Sequence, residues 1–256
     1  MINKILRKLS NLKKRVENRY SNYLFERYKK KALIPFDEKW FKDKRVAIVG
    51  GADSAFKDKL GNYIDNYDVV VRINKGVDVI ERYSEYIGKR TDILFHSLGE
   101  GQDELNGGSK FNIKLWKKMC VEKIIFPFNS NDNKYNHNVL VNFFNKTKGR
   151  VRICELDYEQ YQKIKEDLQG YSPTTGFAAI HTILNSPCKE VYITGVTFFK
   201  TPHNPGYRQG DLSHWIDHFK KYNNHSPDSE FSYFLKKKLE WGGKLKVDST
   251  LSKIIS

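Results

Sequence analysis

A mostly parallel α/β sheet, wound with helices on both faces, is what this sequence encodes, on three observations. Residues 44–76 read KRVAIVGGADSAFKDKLGNYIDNYDVVVRINKG, and Val46-Ala47-Ile48-Val49 within them is a short continuous apolar run, the pattern of a strand buried on both faces. Gly50-Gly51 break that run, Asp53-Ser54 are good helix starters, and a second apolar run, Val69-Val70-Val71, ends at Arg72-Ile73-Asn74. Beyond residue 76, strand-length apolar runs keep alternating with segments of helical period, which favours a parallel, doubly wound sheet. Strand, glycine turn, helix start and strand form the opening unit of a nucleotide-binding sheet, whose ligand lies beyond the carboxyl ends of the strands. Taken alone, the turn is also compatible with a purely structural role.

Residues 1–38 differ in character from 39–256. They read as a basic amphipathic helical segment ahead of one globular domain that starts near Trp40. Ile2, Ile5, Leu6, Leu9, Leu12 and Val16 recur at helical spacing among Lys4, Arg7, Lys8, Lys13, Lys14 and Arg15. Tyr20, Tyr23, Phe25 and Tyr28 then precede Lys29-Lys30-Lys31. Such a helix lies either on an anionic bilayer, each cation contributing about 1 kcal/mol near the surface, or against the domain or a second subunit. Pro35 closes the segment. The domain that follows predicts helices over 80–88, 113–119, 137–146, 158–168, 177–184 and 228–241. Strands are expected over 91–96, 123–128, 150–155, 190–194 and 244–248. Residues 99–109 read as a glycine-bearing loop and 200–224 as a long polar one.

The 256 residues suit one medium α/β domain with a terminal appendage, and 39% hydrophobic with 14% aromatic residues exclude wholesale disorder. Lys and Arg number 45 against 30 Asp and Glu, a net charge of +15 that favours anionic partners. Cys120, Cys154 and Cys188 form neither a disulfide framework nor a metal-ligand spacing, which fits a reducing compartment. No apolar run is long enough to span a bilayer and no secretory core is present, so a soluble or peripheral cytoplasmic protein is expected.

Three further stretches carry chemistry. In Ser172-Pro173-Thr174-Thr175-Gly176, Thr174 or Thr175 can cap the following helix and Gly176 allows a ligand to approach the backbone. Helix N-termini bind carboxylates and phosphates through unpaired N–H groups, although an ordinary cap has the same sequence. His225 precedes Ser226, an N-cap, and Pro227 at the first helical position, with Asp228 and Glu230 in the first turn. The positive end of a helix dipole disfavours imidazolium, and a neutral imidazole is what a general base requires. A loop histidine without a task is the alternative. His214, in Leu212-Ser213-His214-Trp215-Ile216-Asp217, either donates a hydrogen bond to a departing phosphate or sits on an amphipathic helix with His218 one turn on. The remaining histidines show no metal-binding spacing and no DxD triplet occurs, so a metal-independent site without a cofactor is expected.

In this order the pieces resemble the sialyltransferases of glycosyltransferase family 29. Val46-Ala47-Ile48-Val49-Gly50 through Arg72-Ile73-Asn74 resembles the large sialylmotif, and Gly88-Lys89-Arg90-Thr91 the stretch that follows it. Pro173-Thr174-Thr175-Gly176 with Val191-Tyr192-Ile193-Thr194-Gly195 resembles the small sialylmotif. His214-Trp215-Ile216-Asp217 is similar to the short third motif, and His225 with Glu230 to the H-x4-E of the last. Residues 189–200 and His225-Ser226 are also similar to the compact bacterial enzymes of family 42.

The resemblance implies a GT-A-like, Rossmann-like fold and inverting transfer of an acidic ulosonic sugar, sialic acid or Kdo-like, from its CMP derivative. The acceptor would be a hydroxyl of a glycan or lipid-linked glycan, as in lipopolysaccharide or capsule synthesis. Gly50, Gly51, Ser54 and Asn74 would hold the nucleotide. Ser54 is the candidate for remaking a contact, because the family usually has Asn where this chain has Gly51. Thr174, Thr175 and Gly176 would receive the sugar carboxylate, His225 would take the acceptor proton, and His214 and Tyr207 would stabilise the leaving phosphate. The disulfide and transmembrane anchor of the animal enzymes have no counterpart, which points to a bacterial-type cytoplasmic enzyme held near its acceptors by the basic helix. A basic module binding nucleic acid or acidic polysaccharide would explain the charge but not four ordered motifs. A NAD-type oxidoreductase would need GxGxxG. Nucleic acid is not an expected partner.

Overall fold

The computed structural model describes residues 2–100, 105 and 109–256. Its strands are β1 (Leu33–Pro35), β2 (Arg45–Val49), β3 (Val69–Ile73), β4 (Ile93–Phe95), β5 (Lys123–Phe126), β6 (Ile153–Glu155), β7 (Glu190–Thr194) and β8 (Leu245–Val247). They form one sheet in the order β1-β6-β5-β4-β3-β2-β7-β8, every neighbouring pair parallel. From β2 the chain steps outward through β3, β4, β5 and β6, then returns to the other side of β2 for β7 and β8. A crevice opens where the direction of winding reverses. Val49 pairs with both Arg72 and Thr194, so β2, β3 and β7 finish level beneath it.

Alternate side chains of these strands serve two apolar layers. Ile48, Val71 and Ile193 join Phe177, Ala178 and Ile180 of α7 (Thr175–Leu184) and Phe234 of α9 (Pro227–Trp241). Ala47, Val49, Val70 and Leu94 join Leu140, Phe143 and Phe144 of α5 (Lys134–Thr147). Each is at most 1% exposed, and full burial of such a large apolar side chain contributes about 1.5–3 kcal/mol. The remaining helices are α1 (Ile2–Ala32), α2 (Gly61–Asp65), α3 (Ile80–Ile87), α4 (Ile113–Lys118), α6 (Tyr158–Asp167), α8 (Leu212–Tyr222) and α10 (Ser249–Ile255).

The arginine of the first motif is a tie within the fold. Arg72 is fully buried and donates to the carbonyls of Ile87, Gly88 and Arg90 and to the Thr91 hydroxyl. Burial pulls its guanidinium down to about 10, against the fields of Asp65 and Asp92, so it remains charged at neutral pH. The Gly88-Lys89-Arg90-Thr91 turn is thereby fastened to β3.

Several sequence expectations need correction. Of the alternatives for residues 1–38, packing against the domain holds for the later part: Phe25 of α1 packs against His137 and Phe144 of α5, and β1, not expected from the sequence, extends the sheet by pairing with β6. Leu33-Ile34-Pro35 is too short to carry a strand pattern, and its proline is tolerated because β1 is an edge strand. Only the earlier part of α1 projects, with Leu6, Leu9, Leu12, Val16, Tyr20 and Tyr23 all 57–63% exposed. Asp53-Ser54 begin a single 3₁₀ turn (Asp53–Phe56) and not an α-helix. The polar stretch 200–224 contains α8, capped at Asp211, whose side chain accepts from the His214 N–H, and ended by Asn223 at φ 47°. Most of the glycine-bearing loop expected over 99–109 lies outside the described residues.

Candidate active site

A cavity of about 790 Å³ opens at the carboxyl ends of β2, β3 and β7. Its floor is two backbone turns in contact. Gly50 N–H donates to the Thr194 carbonyl and Ala52 N–H to that of Gly195. A Cβ on Gly50 would lie 2.2 Å from the Gly195 carbonyl oxygen, and Gly195 itself adopts φ +69°. Gly51 is required for a different reason: a Cβ there would lie 2.2 Å from the ring of Tyr207. Beside them Asn74, at φ 47°, accepts the Ser97 N–H on Oδ1 (2.9 Å), leaving its amide N–H groups to donate. The Ser97 hydroxyl is buried against the cavity with no hydrogen-bond partner among the described residues.

The second wall is the start of α7. Thr174 is its N-cap, with Oγ1 accepting the Phe177 N–H at 3.2 Å. The N–H groups of Thr175 and Gly176, in the first turn, have no partner within the helix, and both residues line the cavity. The Thr174 hydroxyl and N–H both donate to Glu230, at 3.0 and 2.7 Å. Burial pushes the Glu230 carboxyl up to about 8, against the lowering effect of those two bonds, so it is largely protonated at neutral pH.

The third wall is the entry to α9. Ser226 caps it through the Ser229 N–H and Pro227 opens it, as the sequence indicates. His225, just outside, directs Nδ1 at the Ser172 carbonyl, 2.7 Å away, while Ser172 N–H donates to the Asn224 carbonyl. A carbonyl only accepts, so Nδ1 carries the proton and Nε2 is the basic nitrogen. Burial lowers the imidazole pKa and His218 lowers it further, while the Ser172 bond works against them. The residue is therefore a neutral base with a fixed tautomer.

Trp215, His218, Phe219 and Tyr222 on one face of α8 complete the enclosure, with His203 and Arg208 from the preceding strap. Burial, then the charge of Arg208, brings His203 down to about 4. Among the described residues no group of three or more His, Cys, Asp or Glu is arranged to hold a metal ion.

Gly50, Gly51, Asn74, Thr174, Thr175, Gly176, Tyr207 and His225 thus meet around one cavity. Two expected site residues do not. Ser54 is buried below the floor and donates to Asp248 Oδ2 (2.9 Å), which also accepts the Thr194 hydroxyl and Gly195 N–H. His214 lies one position around α8 from the lining face, with Nε2–H donating to the Leu105 carbonyl at 2.8 Å. Two others reach the cavity with their hydroxyl protons already committed, Thr174 to Glu230 and Tyr207 to the Ile73 carbonyl. Sequence reading missed Ser97, His203, Arg208 and His218. Only His218 had a signal, the i, i+3, i+4, i+7 spacing of 215, 218, 219 and 222.

The model of glycosyltransferase family 29 (sialyltransferase) matches residues 3–240. The chain belongs to glycosyltransferase family 29. The type 2 lactosamine alpha-2,3-sialyltransferase of Rattus norvegicus is 25% identical over 225 residues, 77% of this chain and 63% of that protein. The protein of the same name from Mus musculus is 24% identical over 222 residues, 77% and 64% of the two chains. This family 29 chain therefore spans less than two thirds of the length of those relatives. In structure it resembles a mammalian sialyltransferase solved with Gal-beta-1-3GalNAc-ortho-nitrophenol (TM-score 0.56, 15% identity, 89% of this chain and 78% of that one). It also resembles the sialyltransferase CstII from Campylobacter jejuni solved with cytidine-5′-monophosphate (TM-score 0.53, 17% identity, 84% and 85%). At these identities the likeness is one of fold. The stretch that resembles the last motif is joined to the one that resembles the small sialylmotif by the His225–Ser172 and Glu230–Thr174 bonds.

Proposed function

We propose that this family 29 chain transfers an acidic ulosonic sugar, sialic acid or a Kdo-like relative, from its CMP derivative to a glycan hydroxyl with inversion and without a metal. The observation that carries this reading is the convergence on one cavity of a tautomer-fixed neutral His225, a helix N-terminus and the Asn74 turn. Asn74, Ser97 and the Gly50-Gly51 backbone would hold the nucleotide. The N–H groups of Thr175 and Gly176 would receive the sugar carboxylate, as helix N-termini do for anions. In the transfer step, Nε2 of His225 takes the acceptor hydroxyl proton and the acceptor oxygen bonds to the anomeric carbon. The bond from that carbon to the phosphate oxygen breaks, its electron pair leaving with CMP. The likeness to CstII, solved with cytidine-5′-monophosphate, and to the lactosamine sialyltransferases supports the donor class.

His225→Ala should lower transfer by about 10²- to 10⁴-fold while saturating CMP still raises the melting temperature. Transfer at the wild-type rate would remove the base assignment. A melting temperature that duplex DNA raises and CMP does not would favour a basic binding module.

The projecting part of α1 supports a peripheral contact as well. Its exposed apolar stripe lies in a segment, 1–31, with eleven Lys or Arg and two Glu. Such a surface suits an anionic bilayer, which would hold the enzyme on the cytoplasmic face of a membrane beside lipid-linked acceptors of lipopolysaccharide or capsule synthesis. Pairing with a second copy would set like charges against each other.

A further inference from the structure

We propose that Arg208 receives the phosphate of the donor. The assignment rests on the reading that a CMP-linked sugar fills the cavity, and it names the group that answers the charge developing as the glycosidic bond breaks. That charge calls for a cation or strong donors placed in advance. The two residues the sequence suggested for this task are otherwise engaged. His214 lies off the cavity face and donates to the Leu105 carbonyl, and the Tyr207 proton goes to the Ile73 carbonyl. Arg208 is the one lysine or arginine among the described residues lining the cavity, in a protein of net charge +15.

Its position is set from two sides. The preceding residue, Tyr207, is buried with its ring against Gly51 and its hydroxyl on Ile73, so Arg208 leaves the backbone beside the nucleotide turn. The guanidinium lies over the ring of Trp215, 5.2 Å from its centroid, a cation–π contact that ties it to α8. After burial, Arg208 is the chief influence holding down His96 and His203, and it also lowers His218, so its field reaches both the strand-end wall and the α8 wall. The Asn74 turn and the α7 N-terminus account for the nucleoside and carboxylate ends of such a donor. The phosphate that links them is left to Arg208, whose planar fork matches phosphate oxygens.

Calorimetric titration with CMP and with cytidine, on wild type, Arg208→Gln and Arg208→Lys, tests this. Arg208→Gln should bind CMP about 10- to 100-fold more weakly, the loss expected for a hydrogen bond to a charged group, with cytidine affinity unchanged. Arg208→Lys should recover part of the loss, because it keeps the charge without the fork. An unaltered ratio of CMP to cytidine affinity in Arg208→Gln overturns the assignment and leaves the CMP reading standing. Equal loss of both ligands overturns it too, because it would mean that Arg208 merely supports the fold. A loss confined to the intact CMP-sugar would move Arg208 to the carboxylate, which also overturns the phosphate role. If wild type binds no CMP, both readings fall.

Discussion

Glu230 shows how one buried proton ties two motifs. Its carboxyl is held near a pKa of about 8 where 4.5 is ordinary. The unfolded chain therefore releases this proton first, and the contribution to stability present below pH 4.5 is lost as the pH climbs towards 8. Glu230→Gln copies the neutral form. Urea unfolding should find the variant gaining on wild type between pH 5 and 8, with transfer at pH 7 largely retained. A gap that stays constant with pH would contradict a protonated carboxyl. Glu230→Ala, which strips Thr174 of both acceptors, should cost activity through a higher KM for the donor. At this scale the sequence was readable where identity dictates conformation: the Ser226-Pro227 cap, the histidine ahead of it, the glycines of the first turn. Ser54 was misread because its partner Asp248 lies 194 residues away, and no local pattern reports a hydrogen bond of that range. Arg208 has no periodic or motif context at all, and the packing of Tyr207 against Gly51 together with the Trp215 ring brings it to the cavity.

Among elements, the long continuous or strictly periodic ones were legible, and β7 matches its expected limits of 190–194. The elements that escaped notice are held by their neighbours. β1 spans three residues, and α10 starts from a capping Asp248 whose Oδ1 accepts the Leu251 N–H. α8 is a helix of mixed polarity whose aromatic face becomes apolar surface only once the cavity exists. Asp248 links such elements, because one carboxylate caps α10 and takes Ser54, Thr194 and Gly195 beneath the floor. Asp248→Ala orphans those buried donors and should destabilise the protein by about 2–4 kcal/mol, given 1–3 kcal/mol for a buried group left unsatisfied. Denaturant midpoints would measure it. Loss of CMP binding in a variant that remains folded would show that the floor, and not only global stability, depends on this turn.

For the molecule as a whole, the earlier and later parts of the N-terminal segment behave differently. A variant lacking residues 1–19 keeps Phe25 and β1 and should fold and bind CMP as wild type does, yet fail to float with vesicles rich in anionic lipid. Equal flotation with and without those residues would refute the membrane contact. Among the described residues no helix is long and apolar enough to cross a membrane. A cut at residue 38, where composition changes, is another matter. It would unzip the outermost strand from β6, leaving Ile153 and Cys154 with bare peptide groups along a flat rim. A preparation trimmed there, which also strips Phe25 from α5, is expected to stick to copies of itself, and its poor yield would reflect a missing selvedge as well as a thinner core.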